Sequence, residues 1–183
     1  NTYKANTSGT ITFTGPVGLD ASAGTVTIQT AGADADDITF SGTTSTIDDS
    51  SSNNTLVINT GAEGDVSFGA SIGAGTPIGA ITMSTVDDVA IAGNAITSAG
   101  AITITGDATD AITLTGTSNT TAITSGGADT EDITIAGIVN DASSDTILSL
   151  VGGASGDVTF SSAVGVTNAL DGFKIQSAQN VSL

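Results

Sequence analysis

The sequence predicts an all-β chain wound as a parallel β-helix, a β-solenoid with coils of about 23 residues. Three observations predict it. Short strands alternate apolar residues with Thr, an acidic residue recurs just ahead of these strands at near-constant intervals, and the apolar residues are Ile, Val, Leu and Ala with few aromatics.

The strands come first. Thr10-Ile-Thr-Phe-Thr14, Thr25-Val-Thr-Ile28, Ala101-Ile-Thr-Ile-Thr105 and Ala111-Ile-Thr-Leu-Thr115 each place apolar residues on one face and Thr on the other, the pattern of a half-buried strand. No window carries a helical apolar stripe, and clusters of Gly, Ser, Asn and Asp between the runs favour turns. The low charge content and Ser/Thr/Gly bias do not signal disorder, because disordered chains are poor in β-branched residues and lack a hydrophobic period.

The acidic series runs Asp37, Asp65, Asp88, Asp110, Asp132 and Asp157, closed by Asn180, at intervals of 28, 23, 22, 22, 25 and 23 residues. A second strand falls in each interval, at 56–58, 81–83, 102–104, 122–124, 147–150 and 173–175. A unit of this size cannot bury its own apolar face and does so by stacking on its neighbours, which is the logic of a solenoid. Stacked strands lie about 4.8 Å apart, so seven or eight coils make a rod on the order of 35 Å long.

A longer repeat aligns roughly 26–91 with 121–183 inside a single solenoid segment, 1–183. Gly-Ala-Asp-Ala-Asp-Asp-Ile-Thr-Phe at 32–40 matches Gly-Ala-Asp-Thr-Glu-Asp-Ile-Thr-Ile at 127–135, an offset of 95. Gly64-Asp-Val-Ser-Phe68 matches Gly156-Asp-Val-Thr-Phe160, and Val86–Ile91 matches Ala178–Leu183, both at an offset of 92, which four coils account for. The rival architecture is two tandem immunoglobulin-like sandwiches. Such cores use large aromatics to fill the space between sheets, and the chain has no Trp, one Tyr and five Phe. The shorter period also has no role in a Greek key.

Composition bounds the chemistry. Nineteen acidic residues against Lys4 and Lys174 give a net charge of -17, which disfavours nucleic acid and anionic membrane as partners. Without Arg or His, there is neither a guanidinium clamp nor a side chain that shuttles protons near pH 7. Without Cys, there is no disulfide framework or thiolate metal site. The apolar runs fall far short of the roughly 20 residues that span a bilayer, so no membrane insertion is expected of this segment. The chain opens at Asn1 without Met and stops at Leu183 within a strand pattern, which reads as part of something longer.

Gly156-Asp-Val-Thr-Phe-Ser-Ser-Ala-Val-Gly165, with Leu170, Phe173-Lys-Ile175 and Val181 after it, resembles the repeats of giant bacterial exported proteins. These are the filamentous-haemagglutinin-like and autotransporter-adhesin-like β-strand repeat proteins. The resemblance implies an extracellular, cell-surface stalk, fibre or coat with no catalytic residues to carry over.

Four features have both a plain and a functional reading. A row of Thr12, Thr39, Ser67, Ala90, Thr113, Thr134, Thr159 and Ser182 is expected at the middle outward position of one stacked strand. Thr is a good exposed strand residue, and an outward Thr array can also order water, but Ala90 and the uneven coil lengths make this row irregular. Asn-x-Ser/Thr sequons at Asn6, Asn53, Asn119 and Asn180 are potential glycan acceptors and also what chance supplies in this composition. A β-helix can house a polysaccharide lyase or hydrolase. A lyase needs a basic proton abstractor, yet the two lysines lie at opposite ends, and a hydrolase site needs aromatic sugar platforms as well as two carboxylates. No enzyme is expected.

The fourth feature is the acidic series. Carboxylates stacked about 5 Å apart repel by roughly 1 kcal/mol in water and about 3 kcal/mol at an effective dielectric near 20. An Asp can offset this by accepting turn N–H groups, a role Asn180 fills equally well. Where more acid is added, at Asp34, Asp36, Asp129 and Glu131, oxygen-rich loops without cationic partners also suit calcium, although no Asp-x-Asp-x-Asp-Gly loop is present. The expected role is a structural segment of a bacterial cell-surface fibre, adhesin stalk or surface layer. Its expected partners are a second copy end to end or the remainder of a longer chain, with residues 1 to 9 as a potential cap. The alternative is a ligand-binding adhesin module that recognises carbohydrate or depends on calcium.

Overall fold

The computed structural model describes residues 1–5, 9–20, 24–51, 54–106, 111–117, 120–143 and 145–183. Among the described residues there is strand and turn but no helix, and every strand pair is parallel. The chain winds through three faces per rung. The first rung is β1 (Thr2–Lys4), β2 (Ile11–Phe13) and β3 (Val17–Leu19); the second is β4 (Thr25–Gln29), β5 (Ile38–Phe40) and β6 (Ile47–Asp49). The third holds β7 (Thr55–Asn59), β8 (Val66–Phe68) and a single bridging residue, Ile72. The fourth holds β9 (Ala80–Val86), β10 (Val89–Ile91) and β11 (Ala95–Thr97), and the fifth β12 (Ile102–Gly106), β13 (Ala111–Leu114) and β14 (Thr120–Thr124). The sixth has β15 (Ile133–Ala136), β16 (Ile138–Asp141) and β17 (Ile147–Val151). The seventh has β18 (Val158–Phe160), a bridge at Val164 and β19 (Gly172–Ser177), and β20 (Val181–Ser182) opens an eighth.

The long face is therefore an eight-stranded sheet, β1-β4-β7-β9-β12-β15-β18-β20, and the second face the six-stranded β2-β5-β8-β10-β13-β16. The third face pairs β3 with β6 and runs β11-β14-β17-β19, the two parts joined through the bridges Ile47–Ile72–Ile96. This is the β-solenoid read from the alternation.

Register makes the alternation into columns. On the long face Val26, Leu56, Ile81, Ile102, Ile133 and Val158 stack inward, beside Ile28, Ile58, Met83, Ile104, Ile135 and Phe160. Nearly all are 1% exposed or less. Burying a side chain of this size stabilises by about 2 kcal/mol relative to leaving it in water, but only once a neighbouring rung covers it. The second face stacks Phe13, Phe40 and Phe68, with centroids 4.7 and 5.2 Å apart and planes within 12° of parallel. Ile91 and Leu114 continue that column, which ends inward on Asp141.

The coils are longer than the 23 residues expected. Ile81 pairs with Ile102, a step of 21, while Ile102 pairs with Ile133, a step of 31, and the typical spacing is about 27 residues. The reason is a third strand per coil. β6, β11, β16 and the bridges at Ile72 and Val164 offer one or two inward residues each, too few to show a period.

The long repeat is likewise not four coils. β5 stands on the second face and its match β15 on the long face; β8 and β18, and β10 and β20, are related in the same way. Counting the bridges, each step is eleven strand positions, one short of four rungs. The repeated unit is a strand with its corner, which any face can use.

At the two ends the inward columns lie open. The exposed large apolar residues among those described are Tyr3, Val166, Phe173, Val181 and Leu183, all in the first rung or the last two. Tyr3 stacks below Ile28, Phe173 above Leu148 and Val181 above Val158. At the first rung a cavity of about 340 Å³ opens between Tyr3, Phe13, Val17, Leu19 and Ile28. Lys4 in β1 and Lys174 in β19 lie at these same ends, so the walls between them carry no cation.

Candidate functional site

The polar side chains with the most defined geometry are carboxylates at the corners. The residue just before a strand is where the main-chain ladder begins, so its N–H lacks a backbone acceptor from the neighbouring rung. Asp37 Oδ1 accepts the N–H of Asp65 at 3.1 Å, and Asp65 Oδ1 accepts that of Asp88 at 3.2 Å. Asp132 Oδ1 accepts the N–H of Asp157 at 2.8 Å, and Asp157 Oδ1 accepts both the N–H and Nδ2 of Asn180, at 3.0 and 2.9 Å. Each carboxylate thus extends the ladder by one bond to the next rung.

These residues form two ladders, not the one expected. Asp37, Asp65 and Asp88 precede strands of the second face, whereas Asp132, Asp157 and Asn180 precede strands of the long face. Two strands, β13 and β14, lie between 110 and 132 where the other intervals hold three strand positions, so the series slips by one face. Asp110 itself lies outside the described residues. The expected Thr row divides at the same place. Thr12, Thr39, Ser67, Ala90 and Thr113 stack on the second face, whereas Thr134, Thr159 and Ser182 stack on the long face.

Burial raises the pKa of Asp65 above its ordinary 3.8, the Asp88 N–H opposes this, and the charges of Asp37, Asp88 and Asp34 add to the rise. The folded chain therefore pays for ionising Asp65 at neutral pH, a cost that vanishes below 3.8, where the group is protonated in both states. Asp65→Asn keeps an oxygen for the Asp88 N–H, as the amide of Asn140 does for the N–H groups of Thr167 and Asn168. We expect it to stabilise by a few tenths of a kcal/mol at pH 7, reduced by solvent screening, and by nothing at pH 3; thermal melts at the two pH values check this.

The candidate calcium residues are divided between two corners. Asp34 and Asp36 precede β5 on the second face, and Asp129 and Glu131 precede β15 on the long face. Asp36 is fully buried; its Oδ2 accepts the Ala33 N–H at 3.1 Å and its Oδ1 the Gly9 N–H from the preceding rung at 2.5 Å. Glu131 Oε2 accepts the Ala128 N–H at 2.7 Å, closing the equivalent turn. Among the described residues no three acidic groups come together in a way that could hold a metal ion. The turns are set by glycine pairs. A Cβ on Gly61 or on Gly153, with φ of +80° and +76°, would stand 2.4 Å from the Cα of Gly32 or of Gly127.

Sequence reasoning missed two further devices. Asp49 and Asp141 sit at inward strand positions, 3% and 0% exposed. Asp49 accepts the N–H of Asn54 at 2.7 Å, its Nδ2 at 2.6 Å and the N–H of Ser51 at 3.3 Å. Asp141 accepts the N–H of Thr146 at 2.6 Å, its hydroxyl at 3.2 Å and the N–H of Ser143 at 3.2 Å. Each carboxylate ties together the loop that leads into the next strand. Just before them, Asp48 Oδ1 accepts the N–H groups of Gly75 and Thr76 in the next rung, at 2.8 and 3.2 Å, and Asn140 Oδ1 those of Thr167 and Asn168, at 3.1 and 3.3 Å. All these residues are related by the offset of 92, so extending the long repeat through Asp49-x-Ser-x-x-Asn54 and Asp141-x-Ser-x-x-Thr146 would have found them.

These carboxylates accept backbone N–H groups, an arrangement suited to holding corners. Lys4 and Lys174 are at opposite ends of the stack, as expected. Of the sequons, Asn180 is engaged in its ladder and Asn6, Asn53 and Asn119 lie outside the described residues. No protein-family model, no curated protein and no solved structure matches the chain.

Proposed function

We propose that the chain is a structural segment of a bacterial cell-surface fibre, adhesin stalk or surface layer, and that it carries out no chemistry. The observation that supports this most is the distribution of its surface. Among the described residues the large exposed apolar side chains are confined to the rungs at the two ends, and the acidic residues gather at the corners. Like-charged corners repel sideways, whereas the ends offer open strand ladders, unfilled inward columns and both lysines. Further rungs of the same cross-section, from the same chain or a second copy, fit there.

Sedimentation velocity with negative-stain imaging tests the proposal on the 183-residue chain. Rods lengthening with concentration are expected, and Leu183→Asp together with Tyr3→Asp should return them to single units. Particles that stay single at millimolar concentration, or that associate side by side, would count against it.

A further inference from the structure

We propose that the threonine column of the long face is a binding surface for ice. Once the outward row is sorted by face, Ala90 no longer interrupts it on this side. Thr27, Val57, Thr82, Thr103, Thr134 and Thr159 stack in unbroken register through six rungs. Val57 keeps the β-branched shape and a methyl group where the others carry a hydroxyl, and Ala90 belongs to the second face. Each of the six is half-buried by its neighbours, and among the described residues no group bonds the five threonine hydroxyls.

The face is also uncharged on a chain of net charge -17. From the second to the fifth rung its outward residues are Thr, Val, Gln, Asn, Ala and Ser; charge enters at the margin, with Lys4 in the first rung and Asp132 and Asp157 from the sixth. A cationic or anionic ligand finds nothing to pair with in the middle of the face. A lattice of water does, because each threonine presents one hydroxyl and one methyl at a fixed interval. Parallel rungs repeat about every 4.8 Å. Tetrahedral water with O···O bonds of about 2.75 Å places second neighbours about 4.5 Å apart. The mismatch of about 0.3 Å per rung leaves the six-rung run, centred on the lattice, out of step by about 0.75 Å at each end, about a quarter of a hydrogen-bond length.

The test grows ice slowly from a solution of the 183-residue chain, measures its partition into the ice, and follows grain size on annealing. Thr82→Tyr with Thr103→Tyr places two bulky side chains on the column; Thr39→Tyr does so on the second face, and Tyr is favoured in strands, so all three should fold. Unaltered protein should enter the ice and hold grains small, the double variant should lose at least tenfold in both, and Thr39→Tyr should match the unaltered protein. Exclusion of the unaltered protein from ice would overturn the proposal, as would an equal loss in Thr39→Tyr. Retention on crystalline cellulose or chitin without any effect on ice would overturn it in favour of a neutral polysaccharide.

Discussion

Asp141→Ala is expected to destabilise the solenoid by about 3 kcal/mol at pH 7, because it leaves the buried N–H and hydroxyl of Thr146 and the part-buried N–H of Ser143 without their acceptor. Burial by itself would raise this carboxyl's pKa. The N–H groups of Thr146, Ser143 and Asp145 and the Thr146 hydroxyl outweigh it and hold the pKa below its ordinary 3.8. A lowered carboxyl pKa contributes stability that is fully present above 3.8 and is lost as pH falls through the folded value. The gap between the natural chain and Asp141→Ala should therefore narrow below pH 3.8. Asp141→Asn should fall between the two, since its amide keeps one acceptor and turns a donor toward the other N–H. Asp141→Leu separates loop from core: Leu114 lies directly beneath, so leucine continues an apolar column yet leaves the loop donors unmet. Chemical denaturation of the three variants, with an equal loss for leucine and alanine, would show that the loop bonds dominate; full recovery by leucine would show that they do not.

That an aspartate does this in an apolar column is the kind of feature the pattern conceals. Acidic residues read as solvent-facing, and Ile47-Asp48-Asp49 does not look like a strand with its last residue buried. What the pattern did reveal is the wall. Wherever three residues alternate apolar-polar-apolar, as in Ile38-Thr-Phe40 or Val158-Thr-Phe160, the inward pair was legible, because a parallel stack buries every second residue whichever face carries it. Which face a strand occupies was not legible. Ile38-Thr-Phe40 and Ile133-Thr-Ile135 are near copies on different faces, since a strand and its corner obey local rules and the face follows only from counting every strand before it. Ile72 and Val164, single inward residues among small and polar ones, leave nothing to count.

Phe40→Ala should have the larger effect, about 4 kcal/mol, through lost burial and the cavity left between rings on both sides. Phe40 is fully buried and stacks on Phe13 at 4.7 Å and Phe68 at 5.2 Å, so the loss includes two ring contacts worth about 1 kcal/mol each beyond area. Phe13→Ala should cost about half as much, because that ring is only half-buried and stacks on one neighbour. A solenoid rung touches only the rungs above and below it, so the damage should stay local instead of lowering one global transition. Hydrogen exchange resolves this. In Phe40→Ala the amides of β2, β5 and β8 should exchange faster by two or more orders of magnitude, while those of β15 and β18, four and five rungs away, keep their protection. A uniform loss from β2 to β18 would mean that the rungs unfold as one cooperative unit and that the nearest-neighbour account of this rod is wrong.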